Sequence, residues 1–322
     1  MTRIVAALLL ALATAISNPL FAQAYPSRPI QLVVPFAGGS GIDQLGRELG
    51  ELLHTQMNTP VVIENREGAG GLIGGSFVAR AQPDGHTIMI AAHPPFGIAP
   101  LLAKDSYDPL SSYAPVARLG AVPLVLVTSA STPFKTYAEM AAYVKANPDK
   151  ANYAVSGVGS PGQLFTQLIK LHTGLPLTEI SYKSTGQALI DAIGGVVQIS
   201  LVSYPAAAQH IKTGALKLLA VGSTERMKEF PNVPTLAEAI GQPGFEASVW
   251  YGILAPAGTP QDRIDRLYAE ISKASASPKM IDFMNRSSIT PQLQSPSAFA
   301  ASIKKDVAAA KKIIEVAQLK GN

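Results

Sequence analysis

Glycine and hydroxyl residues cluster at three places where an apolar run gives way to a helical pattern, and that combination can hold an anion. The first cluster, Gly38-Gly39-Ser40-Gly41, lies behind the apolar run from Gln31 to Phe36 and ahead of a helix predicted from about Ile42. The second spans Ser156 to Gly162, with Ser160 as N-cap and Pro161 at the first helical position; the third is Lys183-Ser184-Thr185-Gly186. A helix start presents unpaired backbone N–H groups and a positive dipole end. A carboxylate gripped by such groups and by Ser or Thr hydroxyls needs no arginine, because each charge-assisted bond contributes roughly 1.5 to 3 kcal/mol. Any one of these turns alone reads as an ordinary helix cap; three facing one cleft would make a site.

Catalytic signatures are missing. The glycines around Ser160 fall at the wrong offsets for a hydrolase nucleophile, and no glycine-rich run leads into Gly-Lys-Ser or Gly-Lys-Thr. Residues 68–74 imitate a dinucleotide fingerprint but place Ile73 where its third glycine belongs, so they read as a turn into a helix at 75–81. His54, His86, His93, His172 and His210 lack the paired spacing of a zinc site. Neither metal nor cofactor is expected, and no enzymatic activity. His93 follows a strand at 87–91, where strand ends of an α/β lobe open onto a cleft, and is therefore a candidate ligand contact. With Phe36 and Phe96 it leaves an aromatic acid among the conceivable ligands.

The elements that must position these groups alternate between β-branched runs and helical stretches, the pattern of an α/β fold with a mixed, mainly parallel sheet in each lobe. Strands are predicted at 30–34, 61–64, 87–91, 114–119, 124–128, 153–156, 179–182, 199–203, 216–222 and 250–255. Helices are predicted at 43–55, 137–146, 163–173, 186–193, 261–275, 278–285 and 297–317. Strand-like stretches near 121–129 and 248–255 are suited to cross between two lobes. Lobe 1 would then be discontinuous, residues 25–122 plus 244–322, with lobe 2, residues 123–243, inserted; two crossings suit a hinge that closes on a ligand. Trp250 and Tyr251 are assigned to packing at that hinge.

Residues 1–24 read as an export signal: Arg3, an apolar run at 4–16, and Ala22-Gln23-Ala24 as the small-x-small cleavage site, with cleavage after Ala24. The apolar run falls short of the roughly 20 residues that span a bilayer. The chain has no cysteine, hence no disulfide and no lipidated N-terminal cysteine, which points to a periplasmic protein that is not a lipoprotein. Its pI near 9.1 comes without any run of Lys and Arg, and charged residues make up only 15%, which argues against nucleic-acid binding.

Taken together, the landmarks resemble the Bug family, the periplasmic solute receptors of tripartite tricarboxylate transporters. They include Tyr25-Pro26-Ser27-Arg28-Pro29-Ile30, Val34-Pro35-Phe36-Ala37, Gly68-Ala69-Gly70-Gly71, Pro83-Asp84-Gly85, Tyr107-Asp108-Pro109-Leu110, Tyr182-Lys183, Val233-Pro234-Thr235 and Trp250-Tyr251-Gly252 running on to Pro260. The resemblance implies a two-lobed flytrap that binds carboxylates. It also implies a grip by Phe36, Ala37, Gly39 and Ser40 of one lobe and Ser156, Gly157 and Ser160 of the other, with Ser184 and Thr185 at the far end of the ligand. Gly41 and Ser203 complete the candidate set, while Asp43 is expected to cap or brace its helix. The first turn departs from the family pattern, with Gly38, Ser40 and Ile42 in place of Pro, Gly and Thr. Gln163 stands where His is frequent, and Val202-Ser203 where Asp-Asn is frequent. The expected function is capture of a small organic carboxylate by a monomeric receptor and its delivery to the membrane subunits of a tripartite transporter. Two alternatives remain: a receptor feeding a membrane sensor kinase, and a periplasmic enzyme acting on a carboxylate.

Overall fold

The computed structural model describes residues 25–93, 95–103, 106–156 and 160–316. The chain opens with β1 (Ile30–Val34), α1 (Gly41–Met57), β2 (Val61–Asn65), α2 (Leu72–Ala79), β3 (Thr87–Ala92), α3 (Pro95–Leu102) and the long β4 (Tyr113–Ser129). It continues through α4 (Tyr137–Ala146), β5 (Asn152–Val155), α5 (Pro161–Thr173), β6 (Thr178–Ser181), α6 (Thr185–Ile193), β7 (Ile199–Ser203), α7 (Tyr204–Lys212), β8 (Leu216–Val221) and α8 (Leu236–Ile240). It returns through β9 (Ser248–Pro256) and ends with α9 (Gln261–Ser275), α10 (Pro278–Arg286), β10 (Thr290–Gln294) and α11 (Pro296–Val316).

The strands run in the order β2-β1-β3-β9-β4-β7-β5-β6, with β8 and β10 also pairing to β4. β1 is parallel to β2 and β3, and β5 is parallel to β6 and β7. Every pairing made by β4 and β9 is antiparallel. The first part of β4 pairs with β9 as far as Pro123↔Ser248, and from Leu124 onward it pairs with β7. One strand of 17 residues thus serves two sheets. Gly120 and Pro123 predict a break into two strands, but the ladder absorbs them: register shifts flank Ala117 and Gly120, and Pro123, which has no N–H to donate, falls at the last pair with β9.

Each sheet has its own core. On one side α1 lays Ile42, Leu45, Leu49 and Leu53 over Ile30, Leu32 and Ile88, the i, i+3, i+7, i+11 stripe of an amphipathic helix. Gly50 lets this helix approach closely, since a Cβ there would sit 2.8 Å from Ile63. On the other side Leu124, Leu126, Phe134, Tyr153, Phe165 and Leu201 form a separate cluster. Sequence periodicity misses α3, whose start at Pro95 and internal Pro100 read as a turn, and the short, largely polar β10.

Candidate functional site

β1 ends in Val34, and the chain then turns through Pro35 to Ser40 into α1. Gly39 takes φ +80°, a conformation that favours glycine. Ser40 occupies the N-cap with extended backbone but makes no side-chain cap to the first turn; its hydroxyl donates to Ala37 O at 2.7 Å. The buried Asp43 carboxylate holds the turn instead. Oδ2 accepts from Gly39 N and from Arg47 Nε, each at 2.8 Å, and Oδ1 accepts from Asn65 Nδ2 at 2.9 Å. Asn65 Nδ2 also donates to Phe36 O at 3.0 Å, so one carboxylate and one amide fix the whole loop. Burial alone would raise the Asp43 pKa; the bonds from Arg47, Gly39 and Asn65 outweigh it and hold the carboxyl below its usual range. With Asp43 turned to the loop and Ser40 to Ala37, no side chain among the described residues caps the first-turn N–H groups of α1.

Three helices of the other sheet also start behind a serine N-cap, two of them with a side-chain cap that α1 lacks. Ser160 caps α5 by accepting from Gln163 N at 3.4 Å, and Ser184 caps α6 by accepting from Gln187 N at 3.2 Å. Ser203 is the N-cap of α7 but makes no side-chain cap, and Pro205 supplies no N–H in that first turn. Each capping hydroxyl accepts from its own helix and keeps its proton to donate elsewhere. At Gly162 a Cβ would stand 2.3 Å from Leu201 O, so only glycine lets α5 begin this close to β7.

These starts share a cavity of about 410 Å³. Gly41, Ser156, Pro161, Gly162, Thr185, Ser203 and Pro205 wall it, and Val122 and Leu124 of β4 with Val249 and Tyr251 of β9 also line it. Leu201, Val202, Ser287 and Ile289 complete the wall. Among the described residues no charged side chain lines this cavity. Its polarity comes from Ser and Thr hydroxyls, from Tyr251 and from four helix starts. Burial raises the Tyr251 pKa, so its hydroxyl stays protonated and able to donate.

Of the residues singled out by sequence, Gly41, Ser156, Thr185 and Ser203 lie on the cavity wall. Gly39 and Ser40 immediately precede Gly41, while Ser160 and Ser184 immediately precede Pro161 and Thr185, so they stand one or two residues back from the wall. Ala37 is exposed in the first loop. Phe36 borders a much smaller cavity with Gly71, Phe96 and Tyr107. Gly157 lies outside the described residues. His93 sits elsewhere: it is buried, stacked on Trp250 with centroids 5.5 Å apart, and lines a second cavity of about 230 Å³. The reason is the turn after β3, where His93 N donates to Trp250 O and the side chain enters the layer under α11 rather than the cleft. Burial lowers the His93 pKa and favours the neutral ring.

The aromatics expected at the hinge, Trp250 and Tyr251 of β9, divide between two faces, because successive strand residues point to opposite sides. Tyr251 lines the cleft, whereas Trp250 packs among Phe96, Phe299 and Ile303 and donates Nε1–H to Asp306 Oδ2 at 2.8 Å. Ser287 and Ile289 were not singled out by sequence. They follow α10, and no local signal marks their approach to a cavity built by residues far away in the chain.

A two-lobed α/β fold with a cavity edged by hydroxyls and helix starts beside the strands that join its lobes defines a periplasmic binding protein. Residues 45–319 match the model of the tripartite tricarboxylate transporter family receptor, and the chain belongs to that family, TctC. It is similar to BugT of Bordetella pertussis, 37% identical, over 92% of this chain and 91% of the relative. It superposes with TM-score 0.82 on a ligand-free TctC solute-binding protein from Polaromonas, 29% identical, covering 90% of this chain and 99% of the other. With R. palustris Rpa4515, solved with adipate and 30% identical, the TM-score is 0.71, covering 92% and 99%. Proteins of this family are solute-binding receptors, and the chain is a receptor rather than an enzyme. Among the described residues no helix is long and apolar enough to cross a membrane.

Proposed function

We propose that the chain is an exported receptor that captures a small organic carboxylate between its lobes and delivers it to the membrane subunits of a tripartite tricarboxylate transporter. The observation that carries this reading is the convergence of four helix starts, those of α1, α5, α6 and α7, on one cavity that carries Ser, Thr and Tyr hydroxyls on its wall and, among the described residues, no charged side chain. Such a cavity stabilises a carboxylate through backbone N–H groups and dipole ends, and each charge-assisted bond contributes roughly 1.5 to 3 kcal/mol. The adipate held by a relative of 30% identity supports this ligand class. Gly41, Ser156, Thr185, Ser203 and Tyr251 would contact the ligand, and Phe36, Ala37, Gly39, Ser40, Ser160 and Ser184 would shape the turns behind them.

Residues 1–24 serve as the export signal, with cleavage after Ala24. The lobes divide as 25–122 with 244–322 and 123–243, consistent with the hand-over of β4 between Pro123 and Leu124. Ligand contacts to both lobes would drive closure, because a ligand shifts the equilibrium only by its differential affinity for the two states.

A thermal-shift panel of succinate, glutarate, adipate, citrate and benzoate on the mature protein tests the proposal. A bound acid at a hundredfold excess over its Kd adds about 2.7 kcal/mol of stability. The absence of any shift across the panel would refute carboxylate capture.

A further inference from the structure

The second cavity, of about 230 Å³, lies on the opposite face of the hinge strands from the cleft. Both sheets contribute walls: Leu164, Phe165 and Leu168 come from α5, and Ala309 and Ala310 from α11. Arg118 of β4 projects into it while only 4% exposed. Its Nη2 donates to Glu246 Oε1 at 2.7 Å, but its buried Nε–H has no hydrogen-bond partner among the described residues. A buried donor left unpaired is costly, and a ligand acceptor would satisfy it.

The remaining charge is balanced. Lys305 donates to Gly244 O at 2.8 Å, and Asp306 accepts from Trp250, so the fixed charges of Arg118 and Lys305 offset those of Glu246 and Asp306; His172, edge-on to Phe245, also lines this wall. The buried neutral His93 adds no charge. An added ion would upset this balance; an uncharged molecule would not. An apolar cavity of about 150 Å³ already admits benzene, so this one has room for a single ring carrying a polar group.

We propose that this rear cavity is a second binding site, for an uncharged molecule with a small apolar body and one hydrogen-bond acceptor for Arg118 Nε–H, and that its occupancy opposes closure of the cleft. The mechanics follow from α5, whose first residues wall the cleft while Leu164, Phe165 and Leu168 wall the rear cavity. The hinge strands lie between the two cavities. Rotation about them that brings the lobes together over the cleft draws them apart at the rear, so a rear ligand loses one wall and resists the motion. Linkage then requires that each ligand weaken the other by the same factor. The coupling rests on the cleft reading of the preceding subsection; the rear binding does not.

Benzamide, uncharged and with one carbonyl acceptor, is the probe. Trp250 is the only tryptophan, and it touches two residues of the rear wall, His93 and Asp306, so its fluorescence reports occupancy. In the absence of any carboxylate, benzamide should shift the emission saturably, with a Kd on the order of 1 mM for a ligand of about nine non-hydrogen atoms. Ala309→Leu, which fills the rear cavity, should abolish the response while circular dichroism stays native. No saturable response, or one that survives Ala309→Leu, overturns the site. Saturating benzamide should then raise the Kd of the tightest acid from the thermal panel by about fivefold or more. An unchanged acid Kd with benzamide bound overturns the opposition to closure, and the thermal panel, run without benzamide, judges the cleft separately.

Discussion

Gly162→Ala puts the cleft reading under direct mechanical stress. A Cβ at this position would lie 2.3 Å from Leu201 O, and real Cβ atoms essentially never come within 3.0 Å of a heavy atom. The obstacle is a backbone carbonyl of β7 and not a flexible side chain, so α5 must lift away from the sheet by most of an ångström. Overpacking of this kind costs about 1 to 3 kcal/mol of stability. The same lift moves the N-terminus of α5 off the cavity wall and loosens at least one charge-assisted contact to the ligand, about 1.5 to 3 kcal/mol, so Kd should rise roughly 10- to 150-fold. Gly41→Ala is the companion control. Gly41 also begins a helix on the cavity wall, yet a Cβ there meets nothing within 4 Å. It should leave stability within about 0.5 kcal/mol of the original. Urea unfolding gives the stability term, and isothermal titration with the tightest acid of the panel gives the affinity. Undiminished affinity in Gly162→Ala, at a measured loss of stability, would show that the start of α5 does not grip the ligand.

Asp43→Asn should destabilise the protein by about 1 to 3 kcal/mol at pH 7, since it weakens the carboxylate bonds to Arg47, Gly39 and Asn65. The folded pKa of Asp43 is depressed, so its contribution is complete above the unfolded value near pH 4 and is lost as pH falls through the folded value. Urea midpoints of the two proteins should therefore converge at low pH, and a gap that stays constant from pH 7 to pH 3 would refute the brace. His93→Gln removes a ring stacked on Trp250 and should cost about 1 kcal/mol of stability. Titration should find acid affinity within about threefold of the original, because this side chain lines the rear cavity and not the cleft; a tenfold loss would return His93 to the ligand.

The helix starts were legible because their chemistry is local. Ser160-Pro161 and Ser184-Thr185 carry caps and N1 residues that need no knowledge of the rest of the chain, and their helices begin where those residues place them. Apart from the polar β6, the strands of the parallel ladders were legible as largely apolar runs. What escaped depends on pairing. Gly120 and Pro123 weaken a strand on its own, and only the partners β9 and β10 on one side and β7 and β8 on the other carry β4 through them. The cavity residues Val122, Val249, Tyr251 and Ile289 are hydrophobic or aromatic, so composition alone assigns them to a core. Which of them faces the cleft is set by register, and register is a tertiary property. His93 misled for the same reason: a residue just past a strand end can turn to either face, and here its N–H is fixed on Trp250.

The position of the cavity constrains how tightly a ligand can couple to closure. Val122 and Leu124 stand on either side of the hand-over in β4, and Val249 and Tyr251 lie in the paired part of β9, so on the proposed hinge a ligand in this cavity would rest on the strands about which the lobes would turn. Contacts to those strands change little during rotation and contribute nothing to the population shift, however favourable they are. The shift must come from groups that move with each lobe: the helix starts, and Ser287 and Ile289 behind α10. Of the helix starts, only that of α1 belongs to the first sheet, while those of α5, α6 and α7 approach from the second. An acid long enough to touch the start of α1 as well as the other three therefore gains an N–H cradle on closure that a shorter one reaches from one side only. A single cradle of two or three charge-assisted bonds, about 3 kcal/mol or more, suffices to shift the equilibrium by over a hundredfold. Within the panel, length should consequently govern closure more strongly than it governs affinity for the open form, a difference that small-angle scattering at saturating succinate and adipate would read as a smaller radius of gyration with adipate. Equal compaction by both acids would mean that α1 takes no part in the grip.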